Sequence, residues 1–353
     1  MSYCTLFDKN YLDKGIVMID SLKAHDPDSR IYVLCMDDFC KMVLDDYYSG
    51  AVKTVSLSEF EDDELLAVKS KRSRGEYCWT CTAKLIKYVI CSLNEPMCTY
   101  VDSDLCFYSD PRVLIDEMRA EGCCVQVVSH RFLDNKEGRR RMQASGKNCV
   151  QFNTFDNSEK SLALLNDWIE KCLDDCSVEN IGDQKYTDNW GDLDFVNVTD
   201  NVGAGLAPWN LHRYKFVDPE KNKVYDRYDK KEESLVFYHY QNVINLDRYT
   251  VRLNVVLENR FIDKRFISEM YVPYLNKLEA VKALIEEKYG FLPLITQYIN
   301  EIGKKSSFLS SLKRNRGISF PVFCAKVYGR IINKIHRFTR KKLYIIRLDK
   351  EGK

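Results

Sequence analysis

Apolar and polar positions alternate in blocks along the first half of the chain, and the blocks predict a strand–helix rhythm. Residues 3–7 read as a buried strand that ends at the polar break Asp8-Lys9-Asn10-Tyr11. Leu12, Ile16, Ile19 and Leu22 then recur at helical spacing and mark one apolar face. Asp26-Pro27-Asp28-Ser29 breaks that helix, and residues 31–36 give a second strand. A short helix over 39–47 and a weak strand over 52–57 continue the pattern. Further on, a helix is expected over 77–93, a strand into Val101, a helix over 113–120 opened by Asp110 and Pro111, and a strand over 123–128. A polar loop over 134–147 separates it from a strand over 150–155. Ser158 opens the next helix, to about 172, and Gly182-Asp183-Gln184-Lys185 begins another. Short strands near 195–198, 215–217 and 235–240 precede a helical stretch over 262–288. This alternation predicts an α/β fold, a mostly parallel sheet with helices on both faces.

The most informative chemistry lies at Thr99-Tyr100-Val101-Asp102-Ser103-Asp104-Leu105, where an apolar run ends in Asp-Ser-Asp. Alternate side chains of an extended chain share a face, so Asp102 and Asp104 project together at the end of a strand. Two carboxylates this close repel unless a proton or cation sits between them, and hard divalent cations take such oxygens together with phosphate oxygens. An Asp-rich turn accounts for the same spacing without a metal. His239 follows an apolar run and reads either as a buried structural histidine or as a third ligand; imidazole beside two carboxylates favours manganese over magnesium.

Charge is unevenly distributed. Residues 303–353 hold fifteen Lys/Arg against two Asp/Glu, net +13, which leaves −12 on residues 1–302 of a chain whose total is +1. The tail therefore points to an anionic partner. Its apolar residues Phe323, Val327, Ile331, Ile335 and Phe338 run beside Lys326, Arg330, Lys334, Arg337 and Lys341, with Pro321 near the first turn. That is the pattern of a helix lying in an anionic membrane surface, or of one packed on the body with its charges in water. No nucleic-acid partner is expected. The fourteen cysteines read as reduced core thiols: no signal peptide is expected, and no histidine lies near Cys78-x-x-Cys81 or Cys172-x3-Cys176 in sequence. A cytoplasmic protein, peripheral on the inner face of the membrane through its tail, is the resulting expectation. The domains expected are 1–260, 261–302 and 303–353.

Neither G-x-G-x-x-G nor G-x-x-x-x-G-K-[ST] occurs in the first half, which weakens dinucleotide and P-loop readings that use glycine amides on phosphate. Basic side chains must then assist, and Arg72 and Arg74 are candidates, though a solvated basic run reads equally well. Asp183-Gln184 alone reads as a helix-start pair.

Taken in order, Phe7-Asp8-Lys9-Asn10-Tyr11, the segment 72–82, Tyr100-Val101-Asp102-Ser103-Asp104, Gly182-Asp183-Gln184-Lys185-Tyr186, Leu206-Ala207-Pro208-Trp209-Asn210 and Phe237-Tyr238-His239 resemble the retaining GT-A nucleotide-sugar glycosyltransferases of family 8 and their bacterial relatives. The resemblance covers roughly residues 3–245. It implies a GT-A catalytic domain, with manganese (or magnesium) held by Asp102, Asp104 and His239 on the diphosphate of a donor, expected to be UDP-linked. It places Asp8, Asn10 and Tyr11 on the nucleotide, Asp183 and Gln184 near the anomeric carbon, and His130, Arg131, Trp209 and Asn210 on the acceptor side. Gln241 and Asn242 follow the histidine where the family often has glycine, and Ile244, Asn245 and Leu246 stand where a phosphate-binding lysine often lies, which shifts that task to Arg72 or Arg74. The implied acceptor is a glycan or lipid-linked glycan of the bacterial surface, such as lipopolysaccharide. A metal-dependent phosphohydrolase or nucleotidyltransferase, and a noncatalytic sugar-nucleotide-binding protein, are the alternatives.

Overall fold

The computed structural model describes residues 1–178, 182–218, 222–247, 250–253, 265–293 and 344–347. Within them the chain separates into two compact units, Met1–His239 and Tyr240–Lys353.

The first unit opens with the expected rhythm: β1 (Ser2–Phe7), α1 (Leu12–His25), β2 (Arg30–Cys35), α2 (Asp38–Tyr48) and β3 (Lys53–Ser56). The short helices α3 (Leu57–Phe60) and α4 (Asp63–Lys69) lead to α5 (Arg74–Lys87). Then come β4 (Met97–Val101), β5 (Leu105–Phe107), α6 (Arg112–Ala120), β6 (Val125–Ser129), α7 (Lys136–Ser145), β7 (Asn148–Asp156), α8 (Glu159–Asp174) and β8 (Val196–Val198). Seven strands form one sheet in the order β3-β2-β1-β4-β7-β6-β8. It is parallel except where β7 runs against β4 and β6, so the expected mostly parallel α/β architecture is what the chain adopts. The remainder of the unit is β9 (Tyr214–Asp218), β10 (Lys223–Asp226) and β11 (Glu232–Ser234) in a small antiparallel sheet, then β12 (Phe237–His239), which pairs antiparallel with β5.

The sheet buries both faces, which is why β1 and β4 read as largely apolar runs, while β7 buries Asn148, Gln151, Asn153 and Thr154 along with its apolar residues. Trp168 of α8 packs flat on Phe155 of β7 at 6.1 Å and edge-on to Trp190 at 5.1 Å, all three buried. Truncating any of them to Ala would cost about 3–5 kcal/mol.

Several elements differ from expectation. The polar stretch 134–147 holds a helix, α7, because Asn135 caps it by accepting the Gly138 N–H at 2.8 Å and Glu137 pairs with Arg140 and Arg141 one turn on. With almost no apolar face it gives no periodic signal. Helix α5 starts at Arg74 rather than 77, in a capping box formed by Ser73 and Glu76. Pro111 itself holds the cap position of α6, while Asp110 accepts the Arg112 N–H at 2.9 Å. Gln184 opens only a 3-10 turn, Gln184–Thr187, and Asp183 makes no side-chain cap bond to it.

The second unit contains β13 (Ile244–Asp247), β14 (Thr250–Leu253), a π-helical turn Phe266–Tyr271, α9 (Val272–Tyr289) and β15 (Tyr344–Arg347). Helix α9 and that turn fall in the helical stretch expected over 262–288. Within the tail, Tyr344–Arg347 forms an antiparallel partner of β14, an element with no counterpart among the expectations. The amphipathic pattern from Phe323 to Lys341 lies outside the described residues. Among the described residues no helix is long and apolar enough to cross a membrane.

Candidate active site

The site assembles at the carboxyl end of β4. Beyond Val101 the chain leaves the main sheet, and the Asp102 N–H still donates to the Gln151 carbonyl of β7 at 3.0 Å. Ser103 and Asp104 form a turn into β5, closed by Leu105 N–H on Asp102 O at 3.3 Å. The turn reading and the convergence of the two carboxylates therefore both hold. Strand β12 pairs with β5 in a register that sets His239 opposite Leu105, so the histidine arrives beside Asp104. His239 Nε2 stands 2.9 Å from Asp104 Oδ1 and 3.8 Å from Asp102 Oδ2.

Electrostatics follow from that packing. Burial pushes the Asp102 carboxyl up to about 6, His239 opposing the shift and Asp104 adding to it. Burial also works against the Asp104 anion, but the adjacent His239 outweighs it and holds Asp104 below the ordinary carboxylate range. In turn burial disfavours the His239 cation, and the Asp104 carboxylate overrides this, raising the ring well above its usual value. The proton on His239 thus does what a cation would do between two carboxylates. One oxygen from each aspartate and one imidazole nitrogen lie within 4.8 Å of one another, a donor set that fits a divalent ion of the manganese or magnesium kind.

Around this cluster stand the other candidates. Asp8 is buried, caps the 3-10 turn Lys9–Tyr11 by accepting the Asn10 N–H at 2.7 Å, and pairs with Arg74 Nε at 2.5 Å. Arg74 reaches Asp37 as well, at 3.2 Å, so one guanidinium joins the ends of β1 and β2. Burial, then the charges of Asp104 and Asp8, push the Tyr11 phenol above its ordinary range. The buried Lys14 sets its ammonium 4.6 Å from the Tyr11 ring centre. Asp183 is buried; burial first, then Asp102, drives its carboxyl up to about 8, with the Thr82 hydroxyl on α5 favouring the anion. The Asp183 carbonyl accepts the Trp168 indole N–H at 2.9 Å. Gly182 precedes it at φ +60°, where a Cβ would lie 2.6 Å from the Trp79 ring. The Gln184 amide nitrogen donates to the Ser145 carbonyl at the end of α7.

Other candidates are engaged in holding the backbone. Arg72 points at the last carbonyls of α8, 3.1 Å from both Leu173 O and Asp174 O, and neutralises the negative end of that helix rather than sitting among the carboxylates. Arg131, at φ +49°, donates to the carbonyls of Thr199, Asn201 and Ala204. Asn210 is fully buried and donates to the carbonyls of His130 and Gly205. His130 is buried and stacked on Phe132, and burial lowers its ring to about 4, so it is neutral at pH 7. Of the four acceptor-side candidates, Trp209 packs edge-on against His239, its ring centre 5.3 Å from that of the histidine. Gln151, Thr82 and Lys14 escaped the sequence reading. Gln151 lies inside the strand expected over 150–155 and Thr82 inside the helix expected over 77–93, while Lys14 follows Asp13 in the first turn of α1, and nothing in their spacing sets them apart.

No family model matches the chain. Among curated proteins it is similar to YfnD of Bacillus subtilis (strain 168), itself described as uncharacterized, with 28% identity over 308 residues, covering 82% of this chain and 94% of YfnD. Among solved structures it is similar to the galactosyltransferase LgtC, solved with donor and acceptor sugar analogs, with a TM-score of 0.48 and 13% identity over 79% of this chain and 96% of LgtC. It is also similar to mouse xyloside xylosyltransferase 1, with a TM-score of 0.44 and 13% identity over 69% of this chain and 98% of that one.

Proposed function

We propose that the chain is a metal-dependent, retaining glycosyltransferase that moves a sugar from a UDP-linked donor to a glycan or lipid-linked glycan acceptor. The observation that carries this reading is the convergence of Asp102, Asp104 and His239 at the carboxyl end of a mostly parallel sheet, where open α/β sheets bind their ligands. The ordered motifs that resemble family 8 supply the reaction class.

Asp102, Asp104 and His239 would hold manganese or magnesium, which as a Lewis acid stabilises negative charge on the departing diphosphate. The protein's own groups do the rest. Asp8, Asn10 and Tyr11 line the entrance from β1 and take the nucleoside, with Arg74 bridging Asp8 and Asp37 beside it. As C1 of the sugar gains positive charge, a partial negative charge nearby lowers the barrier. The amide oxygen of Gln184 can supply that charge, as can the carboxylate of Asp183, whose anion is disfavoured by burial and by the charge of Asp102. Ser145 holds the amide nitrogen of Gln184 and fixes the group's orientation. Trp209 faces the acceptor, while Arg131, Asn210 and His130 shape the loops behind it. The basic tail keeps the enzyme on the anionic inner face of a membrane that carries the acceptor, a cytoplasmic placement suited to surface-glycan assembly.

The test is an assay of nucleoside diphosphate release from a panel of nucleotide sugars with manganese, followed by NMR of the product's anomeric proton. An α-linked donor giving an α-linked product supports the reading. Inversion would remove Gln184 from its role and call for a carboxylate base.

A further inference from the structure

Gln151 touches two of the three candidate ligands at once. Its main-chain carbonyl takes the Asp102 N–H at 3.0 Å, and its side-chain Oε1 lies 2.7 Å from His239 Nδ1. The residue is fully buried on β7, so solvent cannot substitute for either contact. Its side-chain Nε2 has no hydrogen-bond partner among the described residues. A Cβ on Gly205, at φ +79°, would crowd that nitrogen at 3.3 Å, so glycine there leaves the amide room.

We infer that Gln151 is a positioning residue that fixes the tautomer of His239 and thereby makes it a metal ligand; this rests on the metal-dependent reading above. An amide oxygen only accepts hydrogen bonds, so the contact keeps the proton on Nδ1. In the neutral ring, Nε2, the nitrogen that faces Asp104 and Asp102, is then the one with a lone pair. Partners of this kind orient ligating histidines and set their basicity. A neutral amide in this place has a second consequence. Two carboxylates, a neutral imidazole and a neutral amide carry two negative charges, matched to one divalent ion. A carboxylate in place of Gln151 would orient the ring equally well but add a third buried charge, at a cost in desolvation.

The test uses the full chain and Mn2+ as the probe. Isothermal titration gives the affinity, and pulsed EPR reads the 14N coupling of a metal-bound imidazole. Gln151→Met, similar in shape but unable to accept the bond, should bind about 10–100-fold more weakly and lose the 14N coupling. Gln151→Glu should keep the coupling, because it preserves the acceptor. Gln151→Met with affinity within about twofold of wild type and undiminished coupling would overturn the inference, as would loss of coupling in Gln151→Glu should the Met variant not fold. If wild type itself binds no Mn2+, the metal-dependent reading fails too; if wild type binds and the variants match it, only the role of Gln151 fails.

Discussion

His239 Nε2 stands 2.9 Å from Asp104 Oδ1 because β12 pairs with β5 in the one register that sets His239 opposite Leu105. The two residues are far apart in sequence, and both side chains are largely buried. Asp102 is the more exposed carboxylate, with 29% of its side chain accessible against 13% for Asp104. Asp102→Asn keeps the shape and removes a charge that burial already disfavours, so the fold should survive with its melting temperature nearly unchanged. Turnover should fall about a hundredfold or more, the scale of losing several kcal/mol of transition-state charge stabilisation. Kinetics with purified variant, alongside circular dichroism, check both halves.

Asp183 predicts a pH dependence. Its folded-state pKa is raised from 3.8 to about 8, so the native state holds a proton that the unfolded state releases across that window. The stability present below the unfolded value is lost as pH rises through the folded one. Asp183→Asn removes this loss. In chelator-treated protein its advantage over wild type in urea unfolding should be negligible near pH 4 and grow to the order of a few kcal/mol at pH 8. A constant difference across the window would contradict the buried, protonated carboxyl.

Arg72 and Arg74 should separate cleanly. Arg72→Met removes the group on the carbonyls of Leu173 and Asp174, and should cost about 1–2 kcal/mol of stability with donor affinity unchanged. Arg74→Ala frees Asp8 and Asp37 from their shared partner and should raise the donor KM several-fold with little effect on stability, because the guanidinium is about half exposed. Urea titrations and donor saturation curves on the two variants decide it.

Gly182→Ala should be costly for two reasons that add. The residue adopts φ +60°, and the new methyl would meet the Trp79 ring at 2.6 Å. Left-handed geometry alone costs about 1–2 kcal/mol. The combined variant Gly182→Ala with Trp79→Ala should recover the packing part and leave the backbone part, which a double-mutant cycle measures.

The tail prediction rests on sequence pattern. Full-length protein should pellet with anionic vesicles, and a chain ending near Gly303 should not. Each Lys or Arg near such a surface contributes about 1 kcal/mol, so binding should weaken sharply in high salt. Equal pelleting of both chains would place the tail elsewhere.

Much of this was legible in the sequence, for physical reasons. Strands buried on both faces read as apolar runs, and the breaks at Asp8-Lys9-Asn10 and Asp26-Pro27 carry turn chemistry that sequence shows directly. Asp102 and Asp104 are close in sequence, so their convergence was visible. What was not visible depends on long-range register. Nothing local distinguishes Gln151 from its apolar neighbours until β7 is laid beside β4, or separates Arg72 from Arg74 until α8 ends beside one of them. Helix α7 was missed because its stability comes from a cap and i,i+3 and i,i+4 ion pairs rather than from an apolar face.

The measurement that bears most directly on the central claim is nucleoside diphosphate release from UDP-sugars by wild type and Asp104→Asn, each with Mn2+ and with excess chelator. The expected result is turnover by wild type with Mn2+ alone, and near-background release in the other three conditions. Equal turnover by wild type and Asp104→Asn, indifferent to chelator, would contradict the assignment of Asp102, Asp104 and His239 as a catalytic metal centre.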